Sequence, residues 1–257
     1  MTVPGSMSRP SRPNDVTRTS LYGRDVLQAC GPLASISNRA MKQARRSPVA
    51  AGNEAGSTGA ADNLASRART AFARNIETVK QSLDPITPLI VAASELMVRA
   101  LVSGHKILLC GNGGSAACAQ LFSAHLLNRY TQERPGLPAI TLSADGATLT
   151  AIANDHHFTD VFARQIMALG NPGDILVAFS TTGNSPNLTR AVEAAHARNM
   201  RCVALNGRDG GELGSVLARD DLNILVTGGS TARIREVHIL TVHCLSELID
   251  YQLLGQE

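Results

Sequence analysis

Short apolar runs alternate with amphipathic stretches from residue 105 to the end of the chain. The apolar runs predict five strands, at Lys106–Cys110, Ala139–Leu142, Ile175–Ser180, Cys202–Leu205 and Asn223–Val226. Helical periodicity lies over Ser115–Tyr130, Phe158–Leu169, Asn187–Arg198, Gly211–Leu217 and Thr231–Leu254. Strands that alternate with helices through short connections are typical of a parallel sheet covered on both faces. The pattern therefore predicts an α/β fold, a doubly wound, five-stranded parallel sheet with helices on both faces.

Two amphipathic helices are expected before the first strand. Apolar residues recur at helical spacing over residues 64–83, and Asn63 is the expected N-cap. Pro85 and Pro88 are expected to end this helix and to open another over Thr87–Ser103. The apolar stripe of these helices needs a partner, which favours a homo-oligomer.

The first 62 residues lack this periodicity and carry the positive charge of the chain. They hold eight Lys/Arg against four Asp/Glu, whereas the remainder holds sixteen against seventeen. Residues 1–62 are predicted to be a disordered basic extension, and residues 63–257 to be the folded domain. The extension has no apolar region of a secretory signal, and both a transit peptide and a tail without function stay open.

Composition excludes several classes of function for the folded part. Its near-neutral charge argues against direct binding of nucleic acid. Its longest apolar runs fall well short of the ~20 residues of a membrane span. Five cysteines without any CxxC spacing indicate reduced thiols, as in a cytoplasmic protein.

Two glycine-rich turns each follow an apolar strand and precede a helix. They lie in KILLCGNGGS, Lys106–Ser115, and in DILVAFSTTGNS, Asp174–Ser185. Backbone N–H groups of such turns, at helix N-termini, bind anions and most often phosphate. The turns lack the GKS/T of a P-loop and the GxGxxG of a dinucleotide site, so ATP and NAD are poor candidates and no cofactor is expected. A lysine-free, hydroxyl-rich cradle suits one phosphate on a small molecule.

The motifs CGNGGSA, AIANDHHF, STTGNSPN and TARIREVHILTVH resemble the sugar isomerase (SIS) domain family. They resemble the branch that contains the phosphoheptose isomerases and the DnaA initiator-associating proteins, and NRYTQERPGLPAI and DGGEL look closer to the latter. The resemblance implies a homotetramer and a sugar-phosphate ligand. It implies phosphate contacts from Ser115, Ser180, Thr181 and Ser185, with Asn112, Gly113 and Asp155 near the sugar.

The resemblance also implies a reacting site, and this chain departs from it. Phosphoheptose isomerases carry His and Glu on the helix after the first glycine turn, and Gln and His on the last helix, which bind zinc in some members. The matching residues here are Leu121, His125, Arg235 and His243. Leu and Arg can neither ligate a metal nor act as a base near neutral pH, so no metal site is expected. His125 and His243 are a candidate acid–base pair if their side chains converge, and structural histidines otherwise.

Arg129 and Arg235 are candidates for holding the anionic group of the ligand. Because Leu121, His125 and Arg129 follow one another at intervals of four residues, they are predicted to share one face of a helix. The equal alternative is a salt bridge, to Glu236, Asp155 or a carboxylate of another subunit.

These residues favour an oligomeric adaptor that binds a sugar phosphate and a DnaA-type replication initiator, with the isomerase chemistry lost. The alternative is a phosphoheptose isomerase that acts on sedoheptulose 7-phosphate, with His125 in place of the glutamate. A sugar-phosphate-sensing transcription regulator would need a helix-turn-helix before the domain, and residues 1–62 lack the periodicity for one.

Overall fold

The computed structural model describes residues 56–255, and their side chains from Asp62 onward. The helices are α1 Gly56–Val102, α2 Gly114–Leu127, α3 Gly146–Asp155, α4 Ala163–Leu169, α5 Pro186–Ala197, α6 Gly211–Ser215 and α7 Thr231–Leu254. The strands are β1 Ile107–Gly111, β2 Ala139–Thr141, β3 Ile175–Phe179, β4 Arg201–Gly207 and β5 Leu222–Val226. A short 3-10 helix, Phe158–Asp160, lies between α3 and α4. Most of the extension predicted over residues 1–62 lies outside the described residues, and its boundary stays a prediction.

The five strands form one sheet in the order β2-β1-β3-β4-β5, and every neighbouring pair is parallel. The predicted fold class is confirmed, and each predicted strand lies within two residues of the observed bounds. The strand order reverses between β1 and β3, whose last residues Gly111 and Phe179 are partners in the register. In sheets of this kind ligands bind beyond the carboxyl ends of the strands at that reversal. Both glycine-rich turns leave the sheet there.

Alternating strand residues build a core on each face of the sheet. Leu109, Val177 and Leu205 point to the face covered by α1, α2 and α7. Leu108 and Leu176 point to the face covered by α4 and α5. Strand side chains alternate between faces, so a strand buried on both sides reads as a continuous apolar run. That is why the sequence pattern located the strands well.

Helix α1 differs from the two helices that were predicted. It is continuous from Gly56 to Val102, with Pro85 and Pro88 inside it and Asn63 within its length. An internal proline costs a helix about 3 kcal/mol through a lost hydrogen bond and a clash. The segment containing both prolines is held by the core, where Ile86, Ile90, Ala93 and Met97 form one buried stripe. Tertiary packing supplies most helix stability in proteins, and here it exceeds the local penalty.

The same helix is the one described segment with the length and apolarity to cross a membrane. The stretch Asp62–Val102 has a mean hydropathy of 1.5 over its most apolar 18 residues. Core helices of folded domains pass the same test, and Ile86, Ile90 and Met97 pack in this core. Length and apolarity alone are therefore weak grounds for a membrane span here.

Helix α3 was missed by the sequence pattern. Asp145 caps it, since its Oδ1 accepts hydrogen bonds from the backbone N–H groups of Ala147 and Thr148, at 3.0 and 3.3 Å. The helix has no buried residue, so it lacks the strong apolar stripe that periodicity detects. The aspartate before it is the sequence signal that could have located its start.

Candidate active site

The two glycine-rich turns are joined side chain to side chain. Asn112, in the first turn, donates from Nδ2 to Oδ1 of Asn187 at 2.9 Å, and Asn187 returns the same bond at 2.9 Å. Asn187 is buried, in the first turn of α5. This reciprocal pair fixes the turn after β1 against the turn after β3, and sequence reasoning did not include Asn187 in the site. We refer to residues 111–115 and 180–187 as the paired turns.

Glycine is required by the tight packing of these turns. A Cβ atom on Gly111 would lie 2.8 Å from the backbone carbonyl of Ser115. Gly183 has φ +72, and a Cβ there would lie 2.0 Å from the carbonyl oxygen of Gly210. The two turns can therefore pack this closely on neighbouring backbone only with glycine at these positions.

The hydroxyl residues predicted to contact phosphate lie on the paired turns. Ser115, Ser180 and Thr181 are buried, and Ser185 is half-buried. Ser180 Oγ accepts a hydrogen bond from the backbone N–H of Gly183 at 2.9 Å, which leaves its own proton to donate. Ser185 precedes α5 and makes no capping hydrogen bond with its side chain. These hydroxyls are available to an anion, and contact with phosphate stays a prediction.

Arg235 packs on the first of the paired turns. An added Cβ on Gly114 would lie 2.5 Å from the guanidinium carbon of Arg235. The Nε atom of Arg235 is buried without a hydrogen-bond partner among the described residues. Glu236, the expected alternative partner, instead pairs with Arg233 and with the amide of Asn75. Arg235 therefore remains a candidate for an anion held at the turns.

Arg129 lies off the predicted helix face, and Asp155 is exposed. Helix α2 ends at Leu127, so the placement of Arg129 on its face was wrong. Arg129 is exposed and pairs with Glu133 at 2.9 Å. Asp155 is exposed at the end of α3 and accepts a hydrogen bond from its neighbour Asn154 at 2.9 Å. Within residues 62–255 neither has a polar contact with the paired turns, and a ligand role for either stays a prediction.

The two candidate catalytic histidines converge. The ring of His125, on α2, lies 5.6 Å from the ring of His243, on α7, measured between centroids. Tyr130 completes a group of three rings, at 5.0 Å from His125 and 5.9 Å from His243. Sequence reasoning missed Tyr130, which follows the end of α2 and has no periodic signal. We call these three residues the ring cluster.

Burial and charge favour the neutral form of His125. Burial is the main cause that lowers the pKa of His125, and the positive potential of His243 and Arg134 adds to it. The Asp250 carboxylate opposes the shift. A neutral imidazole next to a second imidazole can supply one base and one acid.

Arg134 closes the carboxyl end of α2 behind the ring cluster. It is buried and donates to the carbonyl oxygens of His125 and Leu126 at 2.8 and 2.9 Å. Its Nε also pairs with Asp250 Oδ1 at 2.6 Å. These bonds satisfy carbonyls that a helix end leaves open, and they fix the backbone that carries His125.

The residues at the four positions that match the zinc ligands of some phosphoheptose isomerases do not fit a zinc site. Leu121 packs against the core, and Arg235 brings a positive charge to the paired turns. Of the four matching positions only His125 and His243 keep a ligand atom, fewer than the three or four that protein zinc sites use.

A separate group, His196, Cys202 and Asp221, has donor atoms close enough to hold a metal ion. Asp221 already accepts a bond from His196 at 2.7 Å and backbone N–H bonds from Cys202 and Ala218 at 2.8 Å each. Burial raises the pKa of the Cys202 thiol, which opposes the thiolate that a metal needs. The contacts fit a structural cluster that fastens the start of β4.

Asn187→Ala is expected to lower the free energy of unfolding by about 1–3 kcal/mol, because the Asn112 amide loses both partners. It is also expected to weaken phosphate binding, because the paired turns are no longer fixed to each other. Urea unfolding and calorimetric titration with inorganic phosphate measure the two effects. Asn154→Ala, on an exposed amide outside the turns, is the control and should change neither. Unchanged phosphate binding in Asn187→Ala would show that the pair does not position the turns.

Comparison with known proteins identifies the family. The SIS domain pattern matches residues 71–207. A phosphoheptose isomerase of Chromohalobacter salexigens is 54% identical over 184 residues, 72% of this chain and 93% of that protein. One of Halorhodospira halophila is 55% identical over 184 residues, with the same shares covered. The solved phosphoheptose isomerase of Neisseria gonorrhoeae has a TM-score of 0.70 and 43% identity, over 73% of this chain and 98% of that one. A closer likeness to the initiator-associating proteins stays a prediction. The chain belongs to the SIS domain family, in the branch of the phosphoheptose isomerases.

Proposed function

We propose that this protein binds a sugar phosphate at the paired turns and isomerises it between ketose and aldose, as a phosphoheptose isomerase acting on sedoheptulose 7-phosphate. The observation that carries the proposal is the convergence of His125 and His243, whose ring centroids are 5.6 Å apart. Relatives of 52–55% identity bear the name phosphoheptose isomerase, which supports this substrate class.

The chemistry requires one base, one acid and a held phosphate. Backbone N–H groups and hydroxyls of the paired turns bind the phosphate, and the Arg235 guanidinium adds charge. A neutral His125 removes a proton from C1 of the ketose while an acid protonates the C2 carbonyl oxygen, which gives an enediol. Return of the proton to C2, with loss of the proton on O1, gives the aldose. His243 is the acid, with Tyr130 packed on its ring.

In this proposal the enzyme is a cytoplasmic homotetramer. Four large apolar side chains of α1 are exposed: Leu64 at 69%, Phe72 at 73%, Ile76 at 54% and Leu83 at 61%. Contact with further copies would bury them and supply hydrophobic stabilisation.

The second candidate is an adaptor for a DnaA-type initiator. It is favoured by the substitution of three of the four isomerase positions, by Leu121, His125 and Arg235. In this case the paired turns keep a sugar-phosphate ligand, and the ring cluster is structural.

One pair of assays separates the candidates. Purified protein is incubated with sedoheptulose 7-phosphate and the aldose product is followed by NMR, with sedoheptulose lacking the phosphate as control. The same preparation is tested for capture of purified initiator. We expect turnover that requires the phosphate. Initiator capture without turnover would replace the isomerase proposal with the adaptor.

A further inference from the structure

Ser246, on α7, joins the His125 ring to the backbone of its own helix. Its Oγ lies 3.0 Å from Nδ1 of His125 and 2.8 Å from the carbonyl oxygen of Val242. The serine side chain is buried, with the residue 1% exposed. No motif or periodicity marks Ser246 in the sequence, because its contact with His125 spans 121 residues of chain.

These two distances assign the protons. A carbonyl oxygen carries no proton, so two oxygens 2.8 Å apart attract only if the hydroxyl proton lies between them. That proton therefore belongs to the bond with Val242. The bond between Ser246 Oγ and His125 then requires a proton on Nδ1, since the hydroxyl has no second proton to give. In a neutral imidazole, a proton on one ring nitrogen leaves a lone pair on the other.

We propose that Ser246 is a positioning residue that holds His125 in its Nδ1–H tautomer and so presents Nε2 as the unprotonated nitrogen. The inference deepens the proposed isomerase function and rests on it for its catalytic meaning. It names Nε2 as the atom that removes the proton from C1. Among residues 62–255, His125 Nε2 has no hydrogen-bond partner, so its lone pair is available to a ligand.

Every charged or titratable group around His125 is consistent with this assignment. His243 and Tyr130 approach as rings at 5.6 and 5.0 Å between centroids. Arg134 bonds to the His125 backbone, and its partner Asp250 is engaged by Arg134 Nε. Ser246 is the one described side chain that bonds to the His125 ring, so it alone selects the tautomer by a hydrogen bond.

The direct test reads the tautomer by long-range proton–nitrogen NMR of protein labelled in its seven histidines. His125→Gln assigns the ring signals. We expect a protonated Nδ1 and an unprotonated Nε2 for His125 in the wild type near pH 7.5, with this preference lost in Ser246→Ala and kept in Ser246→Thr. A wild-type ring protonated on Nε2 overturns the proposal, whatever the activity of the protein.

Kinetics test the consequence. Ser246→Ala is expected to lower kcat about 10-fold or more with little change in KM, because fewer molecules hold the base in its productive form. The matched control is Ser82→Ala, which removes another buried serine bonded to the carbonyl four residues earlier, at 2.7 Å, on α1 and with no hydrogen bond to the ring cluster. Equal loss of kcat in both variants would overturn the positioning role. An Nδ1–H ring in a protein without turnover would instead contradict the isomerase function and leave the tautomer assignment standing.

Discussion

Glutamine in place of His125, or alanine in place of His243, is expected to lower kcat for sugar-phosphate isomerisation by about 10²–10⁴-fold. That range is the usual contribution of a positioned general acid or base. The two rings come from different helices, α2 and α7, and each supplies one proton-transfer step of the proposed reaction. Binding of the sugar phosphate should change little, because the phosphate is held at the paired turns. Steady-state turnover and calorimetric titration of the same variants measure both quantities.

The control is His105→Gln. His105 precedes β1, at the opposite end of the strand from the first glycine-rich turn, and it is half-buried. Its replacement should leave kcat unchanged. Full turnover in both His125→Gln and His243→Ala would exclude the ring cluster from the chemistry, and would favour the adaptor if the initiator is captured.

The free energy of unfolding is expected to fall by about 3 kcal/mol as the pH drops from about 6.5 to about 4, through His238 alone. Burial lowers the pKa of His238 to about 4, and the nearby Arg235 charge acts in the same direction. The unfolded chain takes up a proton near pH 6.5, whereas the folded chain resists it until about pH 4, so acid favours unfolding over this window. The bond from His238 Nε2 to the Asn206 carbonyl, at 3.0 Å, acts in the opposite direction and does not outweigh burial. His238 Nδ1 is buried without a hydrogen-bond partner among the described residues. A proton on Nδ1 would be a buried charge with no acceptor.

Urea unfolding from pH 4 to 8 measures this effect. Because carboxylates also titrate in this range, the decisive quantity is the difference in the free energy of unfolding between wild type and His238→Gln. Glutamine keeps an amide donor for Asn206 and does not titrate, so the difference should change by about 3 kcal/mol across the window. Two curves that run parallel from pH 4 to 8 would contradict the burial of a neutral His238.

The sequence pattern located those elements whose structure depends on residues close together in the chain. Strands buried on both faces are continuous apolar runs, and the last helix has the predicted bounds Thr231–Leu254. The prolines of α1 led to the wrong prediction of two helices. Their local energetic cost is exceeded by the packing of a stripe of buried side chains, and a short stretch of sequence does not show that packing. Arg129 was misplaced for a similar reason. Helix α2 stops at Leu127, where Arg134 bonds to its last carbonyls from a segment that follows the helix.

The candidate site also has a part that the sequence predicts and a part that it does not. The glycine-rich turns could be predicted because tight turns before helices need glycine and hydroxyl residues in a fixed local order. The contacts that complete the site could not. Asn187 reaches Asn112 across 75 residues, and Ser246 reaches His125 across 121. Such pairs have no period, and each residue alone is ordinary at its position in a helix.

The reciprocal amide pair also sets a rule for sequence variation. Asn112 and Asn187 each satisfy the donor and the acceptor of the other, so a change at one leaves the amide of the other without its hydrogen bonds. Libraries that randomise one position should tolerate few residues, whereas joint randomisation should recover matched pairs, including apolar ones. Functional SIS sequences should therefore covary at these two positions, and the pair offers a means to couple or uncouple the two halves of the ligand cradle by design.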